Sequence, residues 1–271
     1  MESRELKPLI PYTDEELMKS YERAVSFLKK AEVLFEEPDT VAMRNLIFWI
    51  RCLPLLNVEY KKHHFSEEVF FETVRDIAYK VEEHKKRYGE LGLAEPWVCL
   101  VFDLRLFAFG RLQYQLGYFA EDEYRCGDYC LKKGDKVYAC HIPSSGPLAE
   151  ELCMDSFQRA YDFFKDELEN GIIPIVTNSY LIYPPYCDMV FIEGSNTYNF
   201  IKMFDVVSRK KTESFGDCWR IFNKDYEGTT DGFPADTGLQ KRFIEYINND
   251  GSFGTGYGVI LYDGINGKIV N

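Results

Sequence analysis

Apolar residues recur every three or four positions through the first hundred residues, then every second position or in short solid runs. The first pattern predicts amphipathic helices and the second strands. Thr13-Asp14-Glu15-Glu16 has the form of a capping box. It opens a helix with Leu17, Tyr21, Ala24, Val25, Leu28 and Ala31 on one face. Pro38-Asp39-Thr40 interrupts this. Val41, Leu46, Ile47, Trp49, Ile50 and Leu53 then mark a second, more buried helix, which Pro54 is expected to end. Ser66-Glu67-Glu68 caps a third helix, striped by Val69, Phe70, Val74, Ile77, Ala78 and Val81. Lys85-Lys86-Arg87 lies in its last turn, where cations suit the helix dipole. Trp97 to Leu106 reads as a short fourth helix.

Beyond this point the period changes. Phe107 to Tyr118 alternates as a strand and Lys136 to Ile142 forms a second, stopped by Pro143. A long amphipathic helix runs from Pro147 or Leu148 to Leu168 and ends at Asn170-Gly171. Ile172 to Tyr183 is apolar almost throughout, as a central strand is. A helix from Phe200 to Val207, a strand from Asp217 to Phe222, a helix from Leu239 to Ile247 and a strand from Gly256 to Tyr262 follow. The expected class is α+β, with a helical part over residues 1–106 and a mixed sheet with flanking helices over 107–271. A strand-helix-strand unit of the length of 137–181 places its two strands side by side and parallel, because such crossovers stay within one sheet.

The 271 residues are 46% hydrophobic and 16% aromatic, which excludes a disordered chain. Lys and Arg number 32 against 44 Asp and Glu, a net charge of −12, so the basic footprint of a nucleic-acid binder is missing. No uninterrupted apolar run reaches the ~20 residues of a membrane span. Met1-Glu2-Ser3-Arg4-Glu5 lacks a signal pattern. Neither membrane nor export is therefore expected, and most of the eight cysteines, set in apolar stretches, read as reduced core residues of a cytoplasmic protein. Cys126, Cys130, Cys140 and His141 can be drawn as a zinc site, but neighbours on a strand point to opposite faces. No metal and no disulfide is expected.

Candidate chemistry concentrates in His141-Ile142-Pro143-Ser144-Ser145-Gly146-Pro147-Leu148, where a strand meets a helix. Amides at a helix start, with small residues allowing close approach, form an anion site. The same string also suits a plain turn needing Gly and Pro. Neither a Walker-type loop nor a strand-associated G-x-G-x-x-G is present. His141 at the strand end is either a general base or a structural imidazole. Arg111 and Gln113, placed on one strand face with Phe109 and Gln115, contact either a ligand or another chain segment.

Four segments in order resemble a known family. They are Gly110-Arg111-Leu112-Gln113-Tyr114, the loop His141 to Leu148, Ser179-Tyr180-Leu181-Ile182 followed by Gly194-Ser195-Asn196 with Phe200, and Pro234-Ala235-Asp236-Thr237-Gly238-Leu239-Gln240 with Gly251. Together they resemble bacterial acyltransferase-domain proteins, which pair a helical N-acyltransferase-like N-terminal domain with a GNAT-like C-terminal domain. In place of the Arg/Gln-x-x-Gly-x-Gly/Ala loop of well-studied GNAT enzymes, this chain has the loop 141–148. Ser145 stands where the resembling family has glycine, and Tyr180 where it has tryptophan. The resemblance implies acyl transfer from acyl-CoA or acetyl-CoA to an amine of a small molecule or peptide. The cofactor would lie on Ser144, Ser145, Gly146 and Leu148, with His141 as base and Tyr198 as acid. Arg111, Gln113, Ser179 and Asn196 would hold the substrate. The alternative is a non-catalytic ligand-binding or regulatory protein on the same fold.

Overall fold

The computed structural model describes residues 40–93, 97–168 and 170–271. The expected first helix and its Thr13 capping box lie outside them. Thr40 caps the first described helix, α1 (Val41–Lys62), its hydroxyl accepting from the Met43 amide at 3.2 Å. The helix runs through Pro54, contrary to expectation. Proline forfeits its own amide hydrogen bond, but Leu56 and Tyr60 beyond it are buried, and their packing outweighs that loss. Among the described residues α1 alone is long and apolar enough to cross a membrane by length and composition, although Arg44 and Arg51 interrupt its apolar run. The packed helix of a soluble protein passes the same test.

The third expected helix is two, α2 (Glu67–Val74) and α3 (Asp76–Tyr88), meeting at Arg75. Ser66 caps α2 as expected, and Gly89, with φ of 78°, closes α3. A short α4 (Val98–Phe102) follows. Trp49, Ile77, Leu93, Val98 and Cys99 form one core cluster of this helical part.

The expected strand 107–118 is a hairpin. β1 (Leu106–Phe109) and β2 (Leu112–Tyr118) are joined by Gly110-Arg111. Gly110 has φ of 63° and Arg111 stays at negative φ, the sign pattern of a two-residue turn with glycine first. Apolar residues on both sides of the turn hide it from a periodicity count. A polar hairpin, β3 (Glu123–Cys126) and β4 (Tyr129–Lys132), escapes the same count. Then come β5 (Lys136–His141), α5 (Glu150–Phe164), β6 (Ile172–Ser179), α6 (Pro184–Met189), α7 (Asn196–Ile201), β7 (Asp205–Thr212), α8 (Trp219–Phe222), α9 (Gly238–Asn248), β8 (Phe253–Asp263) and β9 (Lys268–Ile269).

Three expectations fail here. The helix placed over 200–207 ends at Ile201, and β7 follows it. β7 is a largely exposed edge strand, so it lacks the alternation that burial imposes. The strand placed over 217–222 is helical, with Cys218 and Phe222 buried four residues apart. The strand placed over 172–183 stops at Ser179, where a 3-10 turn over Tyr180–Ile182 begins.

The strands form a seven-stranded sheet in the order β1-β2-β5-β6-β8-β7, with β9 on β8. β5 and β6 are parallel neighbours joined through α5, as the chain pattern required. β6 and β7 each run antiparallel to β8. Val137, Val176, Val259 and Leu261 pack beneath Phe119, Tyr124 and Leu131 of the β3–β4 region. On the opposite sheet face Tyr138 meets Phe164 of α5, ring centroids 4.4 Å apart. By contacts, the described residues from 40 to 108 with 115–118 form one compact unit, and the described residues of 109–114 and 119–271 another.

Glycines at 254, 256 and 258 line one face of β8. A Cβ on Gly256 would collide with the Ile182 carbonyl oxygen, and one on Gly254 would stand 2.5 Å from that of Lys210. Bare backbone here lets the 3-10 turn after β6 lie directly on the sheet.

Candidate active site

Strands β5 and β6 pair at only two positions, Tyr138 with Ile175 and Ala139 with Val176. β5 continues to His141, and β6 stays paired with β8 as far as Ser179. The parallel ladder therefore ends before either strand does. Beyond it the Thr177 hydroxyl donates to the Cys140 carbonyl at 3.0 Å, so a side chain takes over where backbone pairing stops. Burial pushes the Cys140 thiol far up, with Arg111 opposing the shift, so this cysteine stays a neutral packing residue.

The loop between β5 and α5 is held by one side chain. Arg111 donates from Nε to the Pro147 carbonyl at 2.9 Å. Its Nη1 reaches the Pro143 carbonyl at 3.0 Å and the Ser145 hydroxyl at 3.1 Å, and its Nη2 reaches the Gly146 carbonyl at 2.8 Å. In a trans peptide the N–H opposes the C=O. With the carbonyls of Pro143 and Pro147 turned to Arg111, the amides of Ser144 and Leu148 point the other way. The Ser145 amide is spent on the Pro143 carbonyl at 2.8 Å. Gly146 has φ of 131°, a conformation that side chains rarely adopt, and open space lies where a Cβ would be. The helix that follows has Ala149 as its N-cap, which offers no side-chain acceptor to the amides of Glu150 and Glu151, while the Leu152 amide donates to the Ala149 carbonyl at 3.1 Å. Its first turn also carries the exposed Glu150 and Glu151, which oppose an anion there.

The structure distributes the remaining candidates as follows. His141 is half-buried at the last position of β5, where that strand leaves β6. Ser179, at the matching end of β6, caps the 3-10 turn by accepting from the Leu181 amide. Tyr198 is half-buried on α7, with the Lys202 ammonium 5.1 Å from its ring centre, and α7 packs against α5. Asn196 is exposed at the start of that helix. Gln113 is buried within β2, whereas Arg111 sits in the turn before it, so the two do not share a strand face. The Cys126–Cys130 pair is split between the faces of its hairpin, because Arg125 opposes Cys130 and Cys126 opposes Tyr129. Among the described residues no group of three metal-ligating side chains occurs, and all eight cysteines are free thiols. Thr177 and Ser156 escape the sequence reading; each is a small polar residue in an otherwise apolar face, the only signal available.

The family described as the GNAT-like C-terminal domain matches residues 106–260. The chain belongs to it. Residues 3–104 match the family described as the N-acyltransferase N-terminal domain. The GNAT-like part supplies the mixed sheet and the helical part precedes it, which makes the fold α+β. Among solved structures, an acyltransferase in complex with decanoyl-CoA is similar over 91% of this chain and 78% of its own, at 22% identity and a TM-score of 0.68. An acyltransferase in complex with decanoyl-CoA and teicoplanin is similar over 90% and 76%, at 18% identity and a TM-score of 0.69. At these identities the likeness concerns the fold. No curated protein matches the chain.

Proposed function

We propose that this GNAT-like protein transfers an acyl group from acyl-CoA to an amine of a small molecule or peptide. The observation that carries the reading is the parting of β5 from β6 beside a loop whose Ser144 and Leu148 amides are aimed away from Arg111. A gap between parallel strands accepts an extended pantetheine-like chain, and oriented amides at an uncapped helix start accept a pyrophosphate. The donor, when bound, supplies an activated thioester carbonyl. The amides of Ser144 and Leu148 hold its phosphates, Gly146 gives close approach, and Ser145, its amide spent on the Pro143 carbonyl, contributes only its hydroxyl proton. The imidazole of His141 takes a proton from the acceptor's ammonium, and the Tyr198 phenol holds one for the departing sulfur. Ser179 and Asn196 line the approach of the acceptor. Arg111 shapes the loop, donating to three of its carbonyls and to the Ser145 hydroxyl. Similar structures carrying decanoyl-CoA, and one carrying teicoplanin as well, support a long-chain donor and a peptide-like amine acceptor.

Calorimetric titration with CoA and decanoyl-CoA, followed by mass spectrometry of a panel of amines and amine-bearing peptides, tests this. Binding with an acyl mass gain on an amine is expected. A protein that binds neither thiol nor thioester at millimolar concentration would overturn the reading and leave a binding module on the same fold.

A further inference from the structure

Ser156 lies on α5, six residues into the helix, and is fully buried. Its hydroxyl donates to the Phe109 carbonyl in a short contact, accepts from the Leu112 amide at 3.3 Å, and lies 3.1 Å from the Tyr114 hydroxyl. A hydroxyl has one proton and two lone pairs, so these three partners saturate it. Phe109 and Leu112 are the residues on either side of the Gly110-Arg111 turn. One side chain thus grips both ends of the turn that carries Arg111, and Arg111 grips the loop leading into the same helix. Helix, turn, arginine and loop form a closed circuit.

We infer that Ser156 is a positioning residue for the loop, acting through the turn and Arg111. The effect on cofactor binding rests on the proposed acyl-CoA reading; the effect on loop order does not. Without the serine, the turn loses its anchor on α5, Arg111 loses its fixed origin, and the loop samples conformations with its amides misdirected. If the competent form then exists about a tenth of the time, affinity falls about tenfold.

The test compares wild type, Ser156→Ala and Tyr114→Phe in the full chain. Tyr114→Phe removes one contact of the serine but keeps both bonds to the turn. Hydrogen exchange of the segment 143–151 without ligand, and CoA affinity by calorimetry, are measured on each. Ser156→Ala is expected to speed exchange in this segment selectively and weaken CoA about tenfold, with Tyr114→Phe matching wild type in both. The double variant Ser156→Ala with Arg111→Gln is expected to bind no more weakly than Arg111→Gln alone, because both act along one path. Should Ser156→Ala not fold, Ser156→Cys keeps the packing with a weaker hydrogen-bonding group and is judged on the same readouts. Unchanged exchange in 143–151, a uniform rise across the chain, or additive losses in the double variant would overturn the inference. If wild type binds no CoA, the proposed function fails, and the exchange result alone decides the role of Ser156.

Discussion

The hydroxyl of Thr177 sits 3.0 Å from the carbonyl of Cys140, one step past the last backbone pair between their strands. Both residues are buried, so this carbonyl has no water to fall back on. The contact lets β5 and β6 separate without leaving that acceptor unpaired.

Thr177→Val keeps the shape and removes the donor. The orphaned carbonyl is expected to cost about 1–3 kcal/mol of stability. Urea unfolding at constant m-value checks this, and an unchanged midpoint would show that the carbonyl has another partner.

On the proposed acyl-transfer reading, Tyr198→Phe and His141→Gln each remove one proton-handling group while preserving size. A positioned acid or base contributes about 10²–10⁴ in rate. Steady-state kinetics should show kcat falling by about that factor, with KM for acyl-CoA little changed. A Tyr198→Phe enzyme with wild-type kcat would remove Tyr198 from the mechanism.

Burial raises the thiols of Cys99, Cys153 and Cys187 from 9.0 to about 11, and that of Cys218 to about 12. The folded chain holds these protons more tightly than the unfolded one. Their contribution to stability is complete below pH 9 and is lost as pH rises through 11 to 12. Guanidinium midpoints should therefore be level from pH 7 to 8.5 and drop between pH 9 and 11. A flat profile to pH 11 would contradict the assignment.

Gly256→Ala places a methyl against the Ile182 carbonyl, where backbone cannot step aside, whereas Gly216 has no neighbour within 4 Å of a Cβ. The first substitution should lower stability by about 1–3 kcal/mol, and Gly216→Ala should lie close to neutral. Paired thermal melts decide it; equal melting temperatures would mean that the 3-10 turn is not pressed on the sheet.

Much of the architecture is legible in the residues because burial writes a period. The β5-α5-β6 unit and the Ser66 cap follow from local pattern. What escapes is structure with no such imprint. β7 is an exposed edge, the β3–β4 hairpin is polar, and the Gly110-Arg111 turn lies between two buried strands. The loop 141–148 is visible as a string, but the direction of its amides is not. That direction comes from Arg111, which the sequence marks as contacting either a ligand or another chain segment without saying which segment it holds.

Arg111 is separated by 32 to 36 residues from the loop groups it holds. This bears on how the chain can be dissected. A fragment starting at residue 119 would retain β5, α5, β6, β7 and β8, and so the strands that part, yet it would carry the loop without the arginine that orients it. Such a fragment should fold its sheet and fail as a receptor, and restoring the missing hairpin as a separate peptide would make shaping the loop a bimolecular event. Any useful truncation has to begin upstream of β1.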